Sequence, residues 1–225
     1  MTRRATTGRR PEPGRALWPA MVLLAGILGS GSTGVSAATA GPEGSAATEP
    51  PGQHGEEGKP VRLPRLVDRF DVGSGVYVRA LAMEPEANAL WVGTSVGVLE
   101  IDLADHSVRQ TFTRDDGLAN EYVFAIGIDP QGYKWFGTNA GGASRYKDGA
   151  WDVFFPMHGL ADYWIYAFAE QQGGIYWVGT WDGANRVDLN TMEFTKYKEE
   201  LINEWVYGLD VDSANRVWFG TEGGV

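Results

Sequence analysis

The chain has 225 residues, with 29 acidic and 19 basic side chains and a formal net charge of −10. Residues 61–225 carry 24 of the acidic and 13 of the basic side chains, so this part should repel nucleic-acid phosphates and anionic lipid surfaces. The absence of cysteine excludes disulfides, thiolate catalysis, cysteine zinc sites and a lipoprotein anchor. The three histidines lie far apart in the sequence, so we predict neither a metal site nor a cofactor.

The first 40 residues have the order of a secretory signal peptide. Five arginines within residues 3–15 precede an uncharged, mostly apolar run at 16–28, and small residues with two candidate cleavage sites follow. This run is shorter than the roughly 20 residues that a spanning helix needs. We therefore predict a cleaved signal at 1–40 and a periplasmic or extracellular location. Membrane attachment through an uncleaved anchor is the alternative, because the uncharged stretch extends to residue 40.

Residues 41–63 are predicted to form a disordered linker. Most of this segment consists of Pro, Gly, Glu and Ala. Such a composition cannot bury enough apolar surface to offset the entropy lost on ordering. The linker would separate the export signal from a folded body at 64–225.

The folded body repeats itself about every 42 residues. The tetrapeptide Trp-x-Gly-Thr occurs four times, and its tryptophans are 44, 42 and 41 residues apart. A β-branched residue about twelve positions before each tryptophan opens an alternating strand pattern, and two further strand patterns follow the tetrapeptide. Four short strands in this period are typical of a propeller blade. The four tryptophans are Trp91, Trp135, Trp177 and Trp218.

We therefore predict an all-β fold, a partial β-propeller of four-stranded antiparallel blades with about three and a half blades present. Neighbouring blades stack because one blade cannot cover both of its faces, and the glycine of each tetrapeptide should let a backbone pass closely. Residues 66–70 resemble an outer strand, and the last repeat is incomplete at the C-terminal end. We expect the remaining blades, or a second copy of the chain, to close the ring.

The repeats resemble the two-component regulator propeller repeat. The copy at 123–145 matches the pattern D-x-x-G-x-x-W-x-G-T-x-x-G-G from Asp129 to Gly142, and residues 115–120, DDGLAN, match the loop that precedes it. The resemblance covers roughly residues 64–225, and the first copy departs from it with Glu86, Ala87 and Asn88 in its turn. It implies a propeller and, by analogy, the periplasmic input region of a signalling protein.

The repeats allow structural and ligand-binding positions to be told apart within one sequence. Residues shared by all copies should stabilise the blade, whereas positions that differ between copies are free to bind a ligand. Two sets of loops should lie at one end of the propeller: those before the first strand of each blade, and those between its second and third strands. The variable positions in these loops are the candidate ligand-binding residues Trp181, Asp182, Tyr163, His158, Glu121 and Glu204.

An aromatic ring beside carboxylates suits stacking on a sugar, with hydrogen bonds to its hydroxyls. The alternative for Trp181 is a ring that covers the end of its own blade. Tyr122, Trp164 and Trp205 share one slot, which indicates packing between blades, whereas Asn120, Asp162 and Asn203 share another and should cap the loop.

Three functions fit this sequence. The first is an exported, sensory ligand-binding module whose partner is an unknown small molecule or glycan, or a protein. The second is a protein-interaction platform, and the third is a propeller enzyme of the lyase or hydrolase type. We expect no enzyme and name no catalytic residue, because only His158 lies in the right loops and no base–nucleophile pair is visible.

Overall fold

The computed structural model describes residues 69–225, which form fourteen β-strands and three short 3-10 turns. The first sheet contains β1 (Val78–Glu84), β2 (Ala89–Thr94), β3 (Gly97–Asp102) and β4 (Val108–Phe112). The second contains β5 (Val123–Ile128), β6 (Lys134–Thr138), β7 (Ala143–Lys147) and β8 (Ala150–Phe154). The third contains β9 (Ile165–Gln171), β10 (Ile175–Thr180), β11 (Gly183–Asp188) and β12 (Glu193–Tyr197). The described part ends with β13 (Val206–Val211) and β14 (Val217–Thr221).

Each sheet is an antiparallel meander in which the strands pair in chain order, and β13 and β14 form a two-stranded sheet. The first strands β1, β5, β9 and β13 contact one another from sheet to sheet, so they form the inner side of an arc. The four-stranded sheets stack through their faces in the same order. This arrangement confirms the predicted partial β-propeller, with three complete blades and the inner half of a fourth.

Hydrophobic cores fill the spaces between neighbouring blades. Trp91, Val98, Phe112, Val123 and Phe136 form the core between the first two blades. The next core contains Trp135, Ile165 and Tyr176, and the third contains Trp177, Ala184 and Val206. Every core combines residues of two blades, so a blade depends on its neighbour to bury its apolar face.

The tryptophan and threonine of the tetrapeptide make the same polar contacts in all four copies. Each indole Nε1 donates to a side-chain oxygen in the hairpin between the first two strands, at 2.7–3.0 Å. Each threonine hydroxyl donates to the carbonyl of a glycine across the next turn, at 2.7–2.9 Å. In the three copies with a buried ring, Trp91, Trp135 and Trp177, burial therefore leaves no indole donor unpaired. The acceptors of the indoles are Glu84, Asp129, Gln171 and Asp212.

The glycine of the tetrapeptide lies against the residue that opens the next blade. A Cβ on Gly137 would be 2.7 Å from Ile165 Cγ2 and 3.0 Å from the Ile165 carbonyl oxygen. The equivalent distance is 2.9 Å from Gly93 to Val123 Cγ1 and 2.9 Å from Gly179 to Val206 Cγ1. Any side chain at these positions would push two blades apart, which confirms the close backbone approach expected from the sequence.

The N-terminal predictions fall mostly beyond the described part of the chain. The signal at 1–40, the linker at 41–63 and the start of the body lie outside the described residues. Arg69 and Phe70, the described end of the outer strand predicted at 66–70, are not paired in a sheet; that strand requires partner strands from further blades, so it stays a prediction. Within residues 69–225, no helix is long and apolar enough to cross a membrane.

Replacing Gly137 with valine should lower the free energy of unfolding by about 1–3 kcal/mol, because the new methyl groups would overpack the contact with Ile165. Gly220→Val is the matched control, since a Cβ there meets nothing nearer than 3.6 Å. Chemical denaturation of both variants would check this. A Gly137→Val variant as stable as Gly220→Val would contradict the packing argument.

Candidate functional site

The first strand of every blade contains a bulge directly after its opening residue. Pairing with the second strand skips one residue at this point in all four copies. A bulge leaves its extra residue outside the regular alternation and redirects its side chain. The four bulge residues, here called the bulge row, are Arg79, Phe124, Tyr166 and Tyr207.

The bulge row is continuous from blade to blade. The rings of Phe124 and Tyr166 stack with centroids 5.3 Å apart and planes 11° from parallel. Tyr166 and Tyr207 meet edge to face at 5.2 Å, and the guanidinium carbon of Arg79 lies 5.2 Å from the centroid of Phe124. Because these residues belong to the innermost strands, the row crosses the inner side of the arc.

The loops predicted to share one end of the propeller do lie together. In each copy, the residue after Trp-x-Gly-Thr donates its N–H to the carbonyl of the residue before the first strand, at 2.9–3.2 Å. We call this end of the sheets the aromatic end, because an aromatic residue precedes the first strand in every copy. The bonded pairs are Ser95–Tyr77, Asn139–Tyr122, Trp181–Trp164 and Glu222–Trp205.

Trp181 lies within a cluster of rings at the aromatic end. It stacks on Trp205 of the next blade, with centroids 4.2 Å apart, and lies 5.7 Å from Trp164 of its own blade. Tyr166 and Tyr207 are 6.1 and 6.5 Å away. Neighbouring aromatic rings therefore cover part of this side chain, as in the alternative in which Trp181 covers the end of its blade. Trp181 joins two blades and extends the bulge row outward.

The loops at the aromatic end are held by short-range hydrogen bonds. Asn120, Asp162 and Asn203 each accept the N–H two residues later, at 2.8–2.9 Å, as the capping prediction required. Buried Asn185 accepts the Ala161 N–H at 2.6 Å and donates to the Gly159 carbonyl at 2.9 Å. A ligand would therefore meet loops that already have a fixed conformation.

Asp182 forms an ion-pair clasp rather than an open acceptor. One carboxylate oxygen accepts from Lys196 Nζ at 2.7 Å, and the other accepts from Lys198 Nζ. Hydrogen bonds from the two ammonium groups lower the pKa of Asp182, and the bond to Asp182 raises the pKa of Lys198. The Asp182 side chain therefore links the turn after β10 to β12 and to the residues that directly follow it.

The other predicted ligand residues are spread over this end of the fold. His158 is exposed, and its Nδ1 accepts the Phe155 N–H at 3.1 Å within a 3-10 turn. Tyr163 is 46% exposed, and its carbonyl accepts the Gly142 N–H of the preceding blade at 2.8 Å. Glu204 accepts the Gly183 N–H through its carbonyl at 2.7 Å. Glu121 occupies the equivalent position and is partly exposed.

The two tyrosines of the bulge row stay protonated over the physiological pH range. Burial is the main cause that raises the pKa of Tyr166, and Tyr207 and Asp162 raise it further, whereas Arg79 lowers it. Burial also raises the pKa of Tyr207, with a smaller contribution from Glu222. Both hydroxyls are therefore available as hydrogen-bond donors as well as acceptors.

The bulge row itself was missed by sequence reasoning, although a signal for it exists. The comparison between copies was applied to loops alone, whereas the residue after each opening β-branched residue also varies, with three residue types in the four copies: Arg79, Phe124, Tyr166 and Tyr207. Among residues 69–225, no group of three or more histidine or acidic residues is arranged to hold a metal ion.

Comparison with solved structures agrees with the fold. The extracellular domain assigned to a hybrid two component system from B. thetaiotaomicron is 23% identical and has a TM-score of 0.60, with 64% of this chain and 20% of that one covered. The extracellular domain assigned to a one component system from the same organism is 17% identical, with a TM-score of 0.51 and with 72% of this chain and 28% of that one covered.

A propeller enzyme is also similar in fold. A catalytically inactive virginiamycin B lyase from Staphylococcus aureus, crystallised with quinupristin, is 18% identical with a TM-score of 0.53, and the match covers 64% of this chain and 48% of the lyase. This chain thus spans less than half of each of these three structures. Neither family models nor curated proteins give a match.

Asp182→Asn should lower the free energy of unfolding at neutral pH by about 0.2–1 kcal/mol, the range for exposed ion pairs. The fold lowers the pKa of Asp182 below its ordinary value of 3.8. The ionised Asp182 carboxylate therefore stabilises the folded state above pH 3.8, and this contribution is lost as the pH falls through the folded-state pKa. Denaturation curves at several pH values would show the difference from wild type shrinking below about pH 4. Glu121→Gln, which removes no ion pair among the described residues, is the matched control; an identical profile for both variants would contradict the clasp.

Proposed function

We propose that this chain is part of an exported ligand-binding module of a sensory protein, and that the ligand lies across the aromatic end. The observation that carries the proposal is the bulge row, which extends over four successive repeats and continues into the ring cluster around Trp181. Aromatic rings aligned over several blades present a surface suited to a ligand with apolar faces and polar edges.

A saccharide is the ligand class that this surface suits best. Sugar rings have an apolar face that stacks on aromatic side chains, and their hydroxyls need donors and acceptors at the edges. Tyr207 is 38% exposed and Tyr163 is 46% exposed, so both can reach a ligand. The protonated tyrosine hydroxyls and the nearby carboxylates of Asp162 and Glu222 supply the edge contacts.

The sensory part of the proposal is supported by the repeat resemblance and by the fold neighbours. Two of the similar structures are extracellular domains of one and two component systems, and the N-terminal 40 residues have the pattern of an export signal. A module of this kind binds its ligand outside the cell, and an output domain would be a separate part of the protein.

A protein-interaction platform is the second candidate. It is favoured by Tyr77 and Met157, which are 65% and 85% exposed at or near the aromatic end, because exposed aromatic side chains and Met are enriched at protein interfaces. A lyase or hydrolase activity ranks third. The fold neighbour that is a lyase keeps this option open, but His158 is engaged by the Phe155 backbone rather than by a nucleophile.

Tyr207→Ala should weaken saccharide binding by about tenfold, because it removes an exposed ring of the row. Isothermal titration with a panel of oligosaccharides would give the dissociation constants, and intrinsic tryptophan fluorescence would give an independent binding signal.

Trp218→Ala is the matched control for this experiment. Trp218 is 46% exposed on β14, the strand paired with β13, but it belongs to the hairpin at the opposite end of the sheet. Binding should survive in Trp218→Ala if that variant folds. Equal losses in the two variants, or no binding of any saccharide by the wild-type chain, would argue against the proposed site and favour the interaction platform.

A further inference from the structure

The loops that lead into the second and third blades begin with the same 3-10 turn. These turns end at Asp116 and His158, and a glycine with positive φ follows each of them. In both turns, the side chain of the last residue accepts the backbone N–H three residues earlier. The Asp116 carboxylate lies 2.8 Å from the Thr113 nitrogen, and the His158 Nδ1 lies 3.1 Å from the Phe155 nitrogen. The two repeats therefore form the same bond with different acceptors.

An imidazole nitrogen can accept this bond only while its ring is neutral. A protonated ring carries N–H groups on both nitrogens, so the Nδ1 of His158 would then face the Phe155 N–H with a second donor. Histidine is the side chain that ordinarily changes charge between about pH 5 and 8, whereas a carboxylate such as that of Asp116 can accept throughout this range. The third-blade loop thus has a pH-sensitive bond where the second-blade loop has a constant one.

The turn at His158 is also held by fewer other bonds. In the second-blade turn, the Thr113 hydroxyl donates to Asp116 at 3.1 Å, and the Leu118 N–H donates to the Thr113 carbonyl at 3.2 Å. Among the hydrogen bonds of residues 69–225, neither has a counterpart in the turn at His158. The imidazole bond therefore contributes more to fixing Phe155 than the carboxylate bond contributes to fixing Thr113.

His158 forms no ion pair within the described part of the chain. Its exposed ring lies 5.7 Å from the ring of Phe155, and Phe194 of β12 lies against the glycine of the turn. The hydrogen bond to Phe155 is therefore the side-chain polar contact that protonation of His158 would break. The titratable groups of this loop and of the bordering strands β8 and β12 are Asp162, Tyr163, Glu193, Tyr197 and, each in an ion pair with another residue, Asp152 and Lys196.

Phe155 connects this turn with a hydrogen bond between two blades. Its ring centroid is 6.1 Å from that of Tyr163, and its Cδ1 would lie 3.2 Å from a Cβ on Gly142. The Tyr163 carbonyl accepts the N–H of Gly142 at 2.8 Å, so the Phe155 ring packs beside an interblade bond at the aromatic end. Movement of Phe155 would expose this bond to water and loosen Tyr163, a candidate ligand residue.

We infer that His158 is a pH-sensitive switch for the loop that carries Tyr163. The neutral ring holds the Phe155 N–H. Protonation releases this N–H, so that Phe155 withdraws from Gly142 and the interblade bond to Tyr163 opens more often. The switch goes beyond the proposed function and requires no particular ligand, so it can fail while saccharide binding stands, and saccharide binding can fail while the switch stands.

Amide hydrogen exchange followed by NMR tests the switch on the wild-type chain without a ligand. The intrinsic exchange rate at each pH, divided by the measured rate, gives a protection factor for each N–H. Between about pH 7.5 and about pH 5.5, the protection factors of Phe155 and Gly142 should each fall. The expected fall is about fivefold, the factor that corresponds to the loss of one neutral hydrogen bond.

Two other amides serve as internal controls in the same spectra. The Thr113 N–H donates to the Asp116 carboxylate, and the Gly183 N–H donates to the Glu204 carbonyl at 2.7 Å, which is the equivalent interblade bond of the next repeat. Neither bond involves a histidine, so both protection factors should stay constant over this pH range.

His158→Asp is the decisive variant, because it gives the third-blade turn the acceptor of the second-blade turn. Its protection factors at Phe155 and Gly142 should be the same at both pH values. His106→Asn is the matched control: it removes another exposed histidine, at a position whose φ of 62° asparagine tolerates, and it should keep the pH response of the wild type. Equal melting temperatures at neutral pH would show that both variants fold.

Each outcome supports or overturns the switch. A fall at both Phe155 and Gly142 that is absent in His158→Asp and kept in His106→Asn supports it. An unchanged Phe155 factor, or a fall that persists in His158→Asp, overturns it. A fall at Phe155 alone also overturns it, because the turn would then open without affecting the interblade bond. An equal fall at Thr113 and Gly183 overturns it as well, since the whole fold would then loosen at low pH.

Discussion

The close contact between each tetrapeptide glycine and the first residue of the next blade is the constraint on which the structure depends. At Gly93, Gly137 and Gly179, a hypothetical Cβ would lie 2.7–2.9 Å from the β-branched residue opposite. The two sheets therefore approach as closely as their backbones allow. The buried tryptophans and the interblade cores follow from that spacing, because flat rings fill the wedge that opens from the inner strands toward the rim.

This constraint also prepares the candidate site. Val123, Ile165 and Val206 are fully buried by the preceding blade, and the extra residue of each bulge comes directly after them. After the opening residue has packed against the glycine of the preceding blade, the bulge adds one unpaired residue, and regular strand pairing resumes at the next position. The bulge residue is consequently free of the interblade core, which explains how this position can be Arg79, Phe124 or Tyr166 while the fold repeats.

The sequence predicts the repeat, the blades and the interblade glycine, because each is a periodic pattern that needs no knowledge of distant contacts. It also predicts the capping of the loops by Asn120 and its equivalents, which is a local hydrogen bond. The bulge row was not predicted, since strict alternation gives no indication of where pairing skips a residue. The ring contacts of Trp181 could not be predicted from the sequence either, because its nearest ring belongs to Trp205, which lies 24 positions later and in another blade.

The members of the row do not act independently, and this decides which of them report on a ligand. Tyr166 contacts Phe124, Tyr207 and Trp181 at once, so its loss would move three neighbouring rings and mix packing with binding. Among the described residues, Tyr207 contacts the rings of Tyr166 and Trp181, so its replacement disturbs fewer rings than that of Tyr166.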